Sequence, residues 1–448
     1  METERVLWIV LLWSTVAAGL YLLRRRSPFH LPVLALGVTA LVGSFFPIAS
    51  AFIEPSSWRN LDFLSPDIVV ATQAQYACFA LGLLASVLLS AQVGWLAPAR
   101  AVEEGAPRAD TDARDLCVAT LLVLTGLALY GLYVQRVGTA ALFDREDYAH
   151  KYLLSQGLGP LQFGLPTAIV GCLWAEASDL PRALKNMFLP VALAIIAWTV
   201  AFISVRTNAV ILVLGYLSIV AWRRRLELRG VRLSLLCALL ALYLALESFA
   251  LFRGVYRGDL AEALWILQTQ GERAIASAVG GSELSHPFVT AGEILRGREA
   301  GELAGRSLLD GIAACLPRGL YPERPLMLSE QFVRSNYAEL AARGGGAAFS
   351  LVAEGWLNFG AAIGPALFGL ALGGLLAWVE RRRELAPEGL VARVLPFFVF
   401  YVAMQHRNEF GTLFKQVFMV ALVVLPCFLA GDAIAGSRVR SRLRPRSI

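Results

Sequence analysis

The chain has 448 residues, of which 57% are hydrophobic and 17% charged, with a formal net charge of +6 at pH 7. Its mean hydropathy is +0.60. A soluble domain is about a quarter charged, so this composition excludes an ordinary soluble fold. The positive balance does not imply nucleic-acid binding either. Much of it sits beside apolar runs, at Arg24-Arg25-Arg26, Arg223-Arg224-Arg225, Arg381-Arg382-Arg383 and the tail arginines Arg438, Arg440, Arg442, Arg444 and Arg446. Clusters of this kind mark cytoplasmic helix ends.

In chain order the apolar runs are 6–23, 31–53, 68–96, 116–134, 161–177, 187–204, 207–222, 233–252, 357–379, 390–404 and 413–434. A bilayer core about 30 Å thick needs roughly 20 apolar residues in a helix. A membrane β-barrel would show short alternating segments instead. The runs therefore predict an all-α, polytopic integral membrane protein of about eleven spans, with 1–448 as a single membrane domain. The first run lacks a small-residue cleavage site before Arg24 and reads as a span, not a signal peptide. The basic clusters follow the first, seventh, ninth and last runs, and the loops near 100–114 and 182–185 are basic too. One orientation satisfies all of these ends: N-terminus outside, C-terminus inside.

That orientation puts five connections outside: 54–66, 135–160, a tight turn at Arg206-Thr207-Asn208, a long loop at 252–356, and 405–410. Ionisable residues gather on this side, so chemistry is expected there. Within the long loop, 260–278 and 307–316 have apolar residues at helical spacing. Both read as short amphipathic helices that lie on the membrane or cap the bundle. Gly344-Gly345-Gly346 is a flexible break. Ser350 suits the N-cap of the helix that carries Glu354.

Several residues here can carry chemistry. Arg206 lies at or just inside the outer face, as an anion ligand on a cavity floor or as a snorkelling arginine at a helical hairpin. Arg253 and Arg257 face the same way on a continuing helix. Two guanidinium forks on one face suit a diphosphate; they also suit a basic helix end at lipid headgroups. His406-Arg407-Asn408-Glu409 offers a base, a cation and a carboxylate within one turn. Glu354, with Asn358 one turn later, either takes a proton from a hydroxyl or is a helix-start carboxylate favoured by the dipole. His286 is a second base candidate in the long loop.

Metals and cofactors are not expected. Asp110-Thr111-Asp112 resembles the metal-binding carboxylate pair of many sugar transferases, but it falls on the cytoplasmic side, in a linker rich in Pro, Ala and Asp. No other cluster has metal-ligand spacing, and no glycine loop of the nucleotide-binding type is present. Cys78, Cys117, Cys172, Cys237, Cys315 and Cys427 are scattered and read as packing residues.

Two stretches resemble a known family. They are Ile312-Ala313-Ala314-Cys315-Leu316-Pro317-Arg318 with Tyr321-Pro322-Glu323-Arg324-Pro325, and Phe349-Ser350 with Ala353-Glu354-Gly355-Trp356-Leu357-Asn358-Phe359-Gly360. They look like the bacterial O-antigen polymerases, the Wzy-type oligosaccharide repeat-unit polymerases. Ser204-Val205-Arg206-Thr207 is similar to that family's small-residue–Arg turn, with Thr207 where the family often has glycine. Leu142-Phe143 through Arg145 fits its second outer loop. The resemblance implies an enzyme of the bacterial inner membrane that works at the periplasmic face. It would transfer a growing glycan from undecaprenyl diphosphate onto the next undecaprenyl-diphosphate-linked oligosaccharide, alongside membrane lipids and a polysaccharide chain-length regulator.

On that reading Arg206, Arg253, Arg257 and Arg407 bind the diphosphate, and Arg318 closes over it. Glu354 is the base, with His286 and His406 as alternatives, and Asn358, Glu409 and Arg145 contact the acceptor. Two rivals remain in view. One is a ligase-like transferase to lipid A core. The other is a transporter or flippase, whose paired and interrupted helices in two related halves are not seen here.

Overall fold

The computed structural model describes residues 2–52, 64–94, 108–139, 154, 158–199, 207–230, 268–269, 284–316, 320–342 and 346–443. Its principal helices are α1 (Glu2–Leu22), α2 (Leu31–Phe52), α3 (Pro66–Gln92), α4 (Arg108–Val137), α5 (Gly164–Ala177), α6 (Arg182–Asn186), α7 (Leu189–Ala197), α8 (Thr207–Arg223), α9 (Ser285–Gly297), α10 (Arg306–Ala313), α11 (Leu328–Asn336), α12 (Leu351–Phe359), α13 (Ile363–Leu385), α14 (Leu390–Ala403) and α15 (Phe410–Leu443). Among the described residues there is no strand. Six stretches are long and apolar enough to cross a bilayer: Thr3–Leu22, Leu31–Ser50, Pro66–Gln92, Asp112–Val137, Ile363–Leu385 and Phe410–Ile434. Thr207–Arg223 and Leu390–Ala403 are shorter apolar helices. The protein is thus all-α, with the helices of a membrane-embedded chain. The run at 233–252 lies outside the described residues.

The chain divides into two compact units, the first comprising Met1–Leu96, Arg224–Trp378 and Val402–Phe414. In this unit two arginine-bearing turns meet. The Leu228 N–H donates to the Arg26 carbonyl (2.7 Å) and the Arg229 N–H to the Arg24 carbonyl (3.1 Å). Helices α3 and α13 cross at glycines. A Cβ on Gly82 would collide with the Ala366 carbonyl oxygen, and one on Gly369 with that of Phe79. In a bilayer, lipid is as apolar as leucine, so helices associate through packing, and small residues let the backbones close up. Gly369→Leu is therefore expected to destabilise the protein by about 1–3 kcal/mol or more. Thermal unfolding in detergent checks this, with Gly374→Leu as the control, since a Cβ there meets nothing within 4 Å.

The apolar run at 357–379 is not one helix. α12 ends at Phe359, and α13 begins at Ile363. Between them Gly360 has φ +86° and Ala362 φ +59°. The chain folds back so closely that a Cβ on Gly364 would collide with the Gly355 carbonyl oxygen. Hydropathy is continuous across this break, which is why composition alone does not reveal it. Upstream, the helix expected at 307–316 is α10. It buries Ser307 and Gly311 and leaves Leu309 70% and Ile312 45% exposed. A small residue side turned inward and a leucine side turned outward suit a helix lying at an interface. The helix expected at 260–278 lies outside the described residues except at 268–269.

The second unit comprises Ala97–Arg223, Val379–Tyr401 and Lys415–Ile448. Here Asp110-Thr111-Asp112 stands in the first turns of α4, not in a linker. Close by on the same helix, Asp115 is buried. Its Oδ1 accepts from the Trp174 Nε1–H (3.2 Å) and the Arg114 Nη2–H (3.3 Å). Its Oδ2 pairs with Arg393 Nη2 at 2.9 Å. Arg393 also donates to the Ala177 carbonyl. One carboxylate thereby joins α4, the end of α5 and α14. A buried charge of this kind persists only when paired and hydrogen-bonded.

Candidate active site

The candidate site lies in the first unit and is built on α12. Ser350 caps this helix, its hydroxyl accepting from the Val352 N–H at 3.1 Å, as expected of an N-cap serine. The residues from Leu351 to Asn358 are all buried. Such a short helix holds its place because its neighbours enclose it on all sides, and two polar side chains come in with it. Glu354 is 0% exposed and Asn358 1%.

Glu354 reaches two other elements. Its Oε1 accepts from the Ser307 Oγ of α10 at 2.6 Å. Its Oε2 accepts from the Phe410 N–H at 2.6 Å. Phe410 opens α15, so this N–H is one of the donors that a helix start leaves unsatisfied, and the helix dipole there favours an anion. Asn358 fixes the direction of the Ser307 bond. Its Nδ2 donates to Ser307 Oγ (2.7 Å) and to the Glu354 carbonyl (2.8 Å). The serine oxygen accepts from the amide and sends its own proton to the carboxylate.

Glu409 stands next to this arrangement and is 1% exposed. Its Oε2 accepts from the Ser329 N–H (3.1 Å), and its Oε1 from Ser329 Oγ (3.0 Å) and Thr412 Oγ1 (2.6 Å). Ser329 is in the first turn of α11. Each carboxylate therefore caps the start of a helix other than its own. Between them lies a cavity of about 10 Å³, lined by Ser307, Asp310, Gln331, Glu354 and Glu409 among others. That is about the space that one water needs.

Burial drives the electrostatics. It pushes the Glu354 carboxyl up to about 7, against the pull of the Phe410 N–H and the Ser307 hydroxyl, and the nearby Glu409 adds to the rise. Burial raises Glu409 as well, opposed by its bonds from Thr412 and Ser329. A carboxyl poised near 7 changes protonation at working pH, as a general base must.

His406 belongs to a different environment. It is buried on the turn Gln405–Arg407, with its ring centroid 5.2 Å from that of Tyr76 and 5.1 Å from that of Phe79. Its Nε2 is 2.8 Å from Thr39 Oγ1. The Thr39 hydroxyl also donates to the Ala35 carbonyl (2.7 Å), and the Gln405 Nε2 lies 3.3 Å from both Thr39 Oγ1 and the His406 Nε2. The His406 Nδ1 has no hydrogen-bond partner among the described residues. Burial lowers the imidazole to about 3, and the ring is neutral.

The other sequence candidates fall as follows. His286 is half-buried at the second position of α9. Arg407 is half-buried, and its carbonyl accepts from the Phe349 N–H at 3.2 Å, which ties its turn to the start of α12. Arg145, Arg206, Arg253, Arg257 and Arg318 lie outside the described residues. The structure thus brings Glu354, Asn358 and Glu409 together and sets His406 apart, hydrogen-bonded to α2. Ser307, Ser329 and Thr412 complete the cluster, and sequence reasoning had not singled them out. The only available hint for Ser307 was its place at the start of an amphipathic stretch.

Among the described residues no group of three His, Cys, Asp or Glu side chains is arranged to hold a metal ion. Comparison with known protein-family models, with curated proteins and with solved structures finds no match.

Proposed function

We propose that this chain is a membrane glycosyltransferase that polymerises undecaprenyl-diphosphate-linked oligosaccharide repeat units into O-antigen or a related surface polysaccharide. The observation that carries the reading is Glu354: a buried carboxyl poised near neutral pH, aimed by Ser307 and Asn358, beside a water-sized cavity. It lies in the Ala-Glu-Gly-Trp-Leu-Asn-Phe-Gly stretch that resembles the repeat-unit polymerases. The apolar helices support a membrane enzyme.

In the proposed reaction the acceptor sugar hydroxyl attacks the anomeric carbon of the donor glycan. A new C–O bond forms, and the bond from that carbon to the diphosphate oxygen breaks. The hydroxyl proton passes to Glu354 by way of the Ser307 hydroxyl or the neighbouring cavity, and undecaprenyl diphosphate leaves as an anion. Arg206, Arg253 and Arg407 balance the charge that builds on the leaving group, with Arg257 beside Arg253 and Arg318 closing from the loop. Asn358 keeps the Ser307 hydroxyl turned toward the Glu354 carboxylate, and Glu409, itself held by Thr412 and Ser329, lines the neighbouring cavity. The chain crosses the inner membrane in about eleven spans, with its N-terminus periplasmic and its C-terminus cytoplasmic. The meeting of the turns at Arg24–Arg26 and 228–230 supports placing both on one side of the membrane.

Removing one donor to a developing anion costs about 10²–10³-fold in rate. Arg206→Ala and Arg407→Ala are each expected to slow polymerisation of a purified lipid-linked repeat unit by that order. Full activity in both variants would remove the diphosphate assignment.

A further inference from the structure

The second unit carries an apolar groove that the chemistry above does not use. Its walls are Leu116, Thr120 and Leu121 of α4, Leu180 and Leu184 around the start of α6, and Ile434 of α15. Its volume is about 490 Å³, within the range of about 300–1,000 Å³ typical of small-molecule sites. From Asp112 to Leu121 it follows α4 for about 13 Å at 1.5 Å per residue. Further along the same helix, Leu124 is 59% and Leu127 41% exposed, so the groove runs toward a surface suited to hydrocarbon.

The other end of the groove is charged. Arg182 and Lys185 stand on α6, beside the lining residues Pro181 and Leu184. Neighbouring arginines already have carboxylate partners: Arg223 pairs with Glu176 (3.3 Å) and Arg393 with Asp115 (2.9 Å). Arg182 is exposed and makes no ion pair among the described residues. Among the described residues the Lys185 ammonium donates only to a carbonyl oxygen, that of Glu176, at 3.3 Å. Its pKa is lowered, by burial first and then by Arg223, with Glu176 and Asp179 opposing. The carboxylates at this end are Asp112, the exposed Asp179 and Glu176, the last of which is paired with Arg223. An additional anion at Lys185 would relieve the repulsion from Arg223.

We propose that this groove seats one acyl chain of an anionic phospholipid, whose phosphate is held at the mouth by Arg182 and Lys185. The chain fills the trough between α4 and α6. A guanidinium fork and an ammonium supply donors to the phosphate oxygens. A zwitterionic lipid would bring its own cation to a mouth that already holds two. The site is independent of the sugar-transfer reading.

The test uses the purified full chain in detergent, offered phosphatidylglycerol and phosphatidylcholine at equal concentration, with retained lipid counted by native mass spectrometry. The expected result is one tightly retained phosphatidylglycerol per chain. Removing both cations (Arg182→Gln with Lys185→Gln) should weaken its retention about thirtyfold, at the strength that two cations near an anionic lipid contribute. Thr120→Trp, at an exposed wall position, should block the groove and abolish retention while leaving the melting temperature unchanged. Leu184→Phe gives a second blocking variant should Thr120→Trp misfold. Equal retention of the two lipids would overturn the proposal. So would phosphatidylglycerol retention indifferent to every variant, or a dimer that excludes lipid from the groove.

Discussion

Glu354→Gln is expected to slow polymerisation about 10²–10⁴-fold, the usual contribution of a positioned general base, while the protein still folds. Glutamine keeps the shape and the acceptor oxygen that the Phe410 N–H or the Ser307 hydroxyl needs, so the helix starts remain joined. What it loses is the ability to take a proton. If the proposed reaction holds, the rate of the unmutated protein rises with pH through a midpoint near 7, where the carboxyl ionises. Stability should move in the opposite direction. The folded carboxyl titrates near 7, and the same group in the unfolded chain near 4.5. Between these values the unfolded chain binds fewer protons, so stability falls as pH rises. It is fully present below about 4.5 and levels off above 7. In detergent, the melting temperature of Glu354→Gln should lack this decline. A variant of undiminished rate would remove Glu354 from the reaction, and an unchanged pH dependence of melting would assign the decline to another group.

Arg393→Met is the structural counterpart. It leaves Asp115 buried without its cation at 2.9 Å, and a broken buried pair typically costs about 3–5 kcal/mol. Neutralising the survivor should restore most of the loss. Asp115→Asn keeps an oxygen for the Trp174 Nε1–H and removes the unpaired charge. Chemical denaturation in micelles of the single and double variants measures both. The exposed pair Arg334–Glu330 serves as the comparison, since surface pairs contribute only about 0–1 kcal/mol. If Arg393→Met cost no more than Arg334→Met, the ion pair would not be what holds these helices together.

How much of this was legible in the sequence depends on what each feature rests on. Six of the eleven expected spans were legible because bilayer thickness imposes length and apolarity residue by residue, and Leu31–Ser50 or Phe410–Ile434 meets both requirements unaided. The Ser350 cap was legible because capping is local. The break after Phe359 was not, since Gly360 and Ala362 interrupt the backbone without interrupting the apolar run. At the site, Glu354 and Asn358 stand out as polar residues at the mouth of a span, one turn apart. Ser307 meets them across 47 residues of chain, and no local pattern announces such a contact. His406 illustrates the reverse: a dense polar motif suggests a base, but its ring is packed between Tyr76 and Phe79 and bonded to Thr39. Arg393 lies inside the apolar run 390–404 and Asp115 just before the run 116–134, and nothing local marks either, because their pairing joins segments far apart in the chain.

The central claim is that this chain lengthens a lipid-linked glycan. Purified protein in liposomes, given a single undecaprenyl-diphosphate-linked repeat unit, tests it directly. The account predicts a ladder of longer glycans still attached to undecaprenyl diphosphate, made without any nucleotide sugar. Repeat units that cross the bilayer at unchanged length, or that move only onto lipid A core, would contradict it.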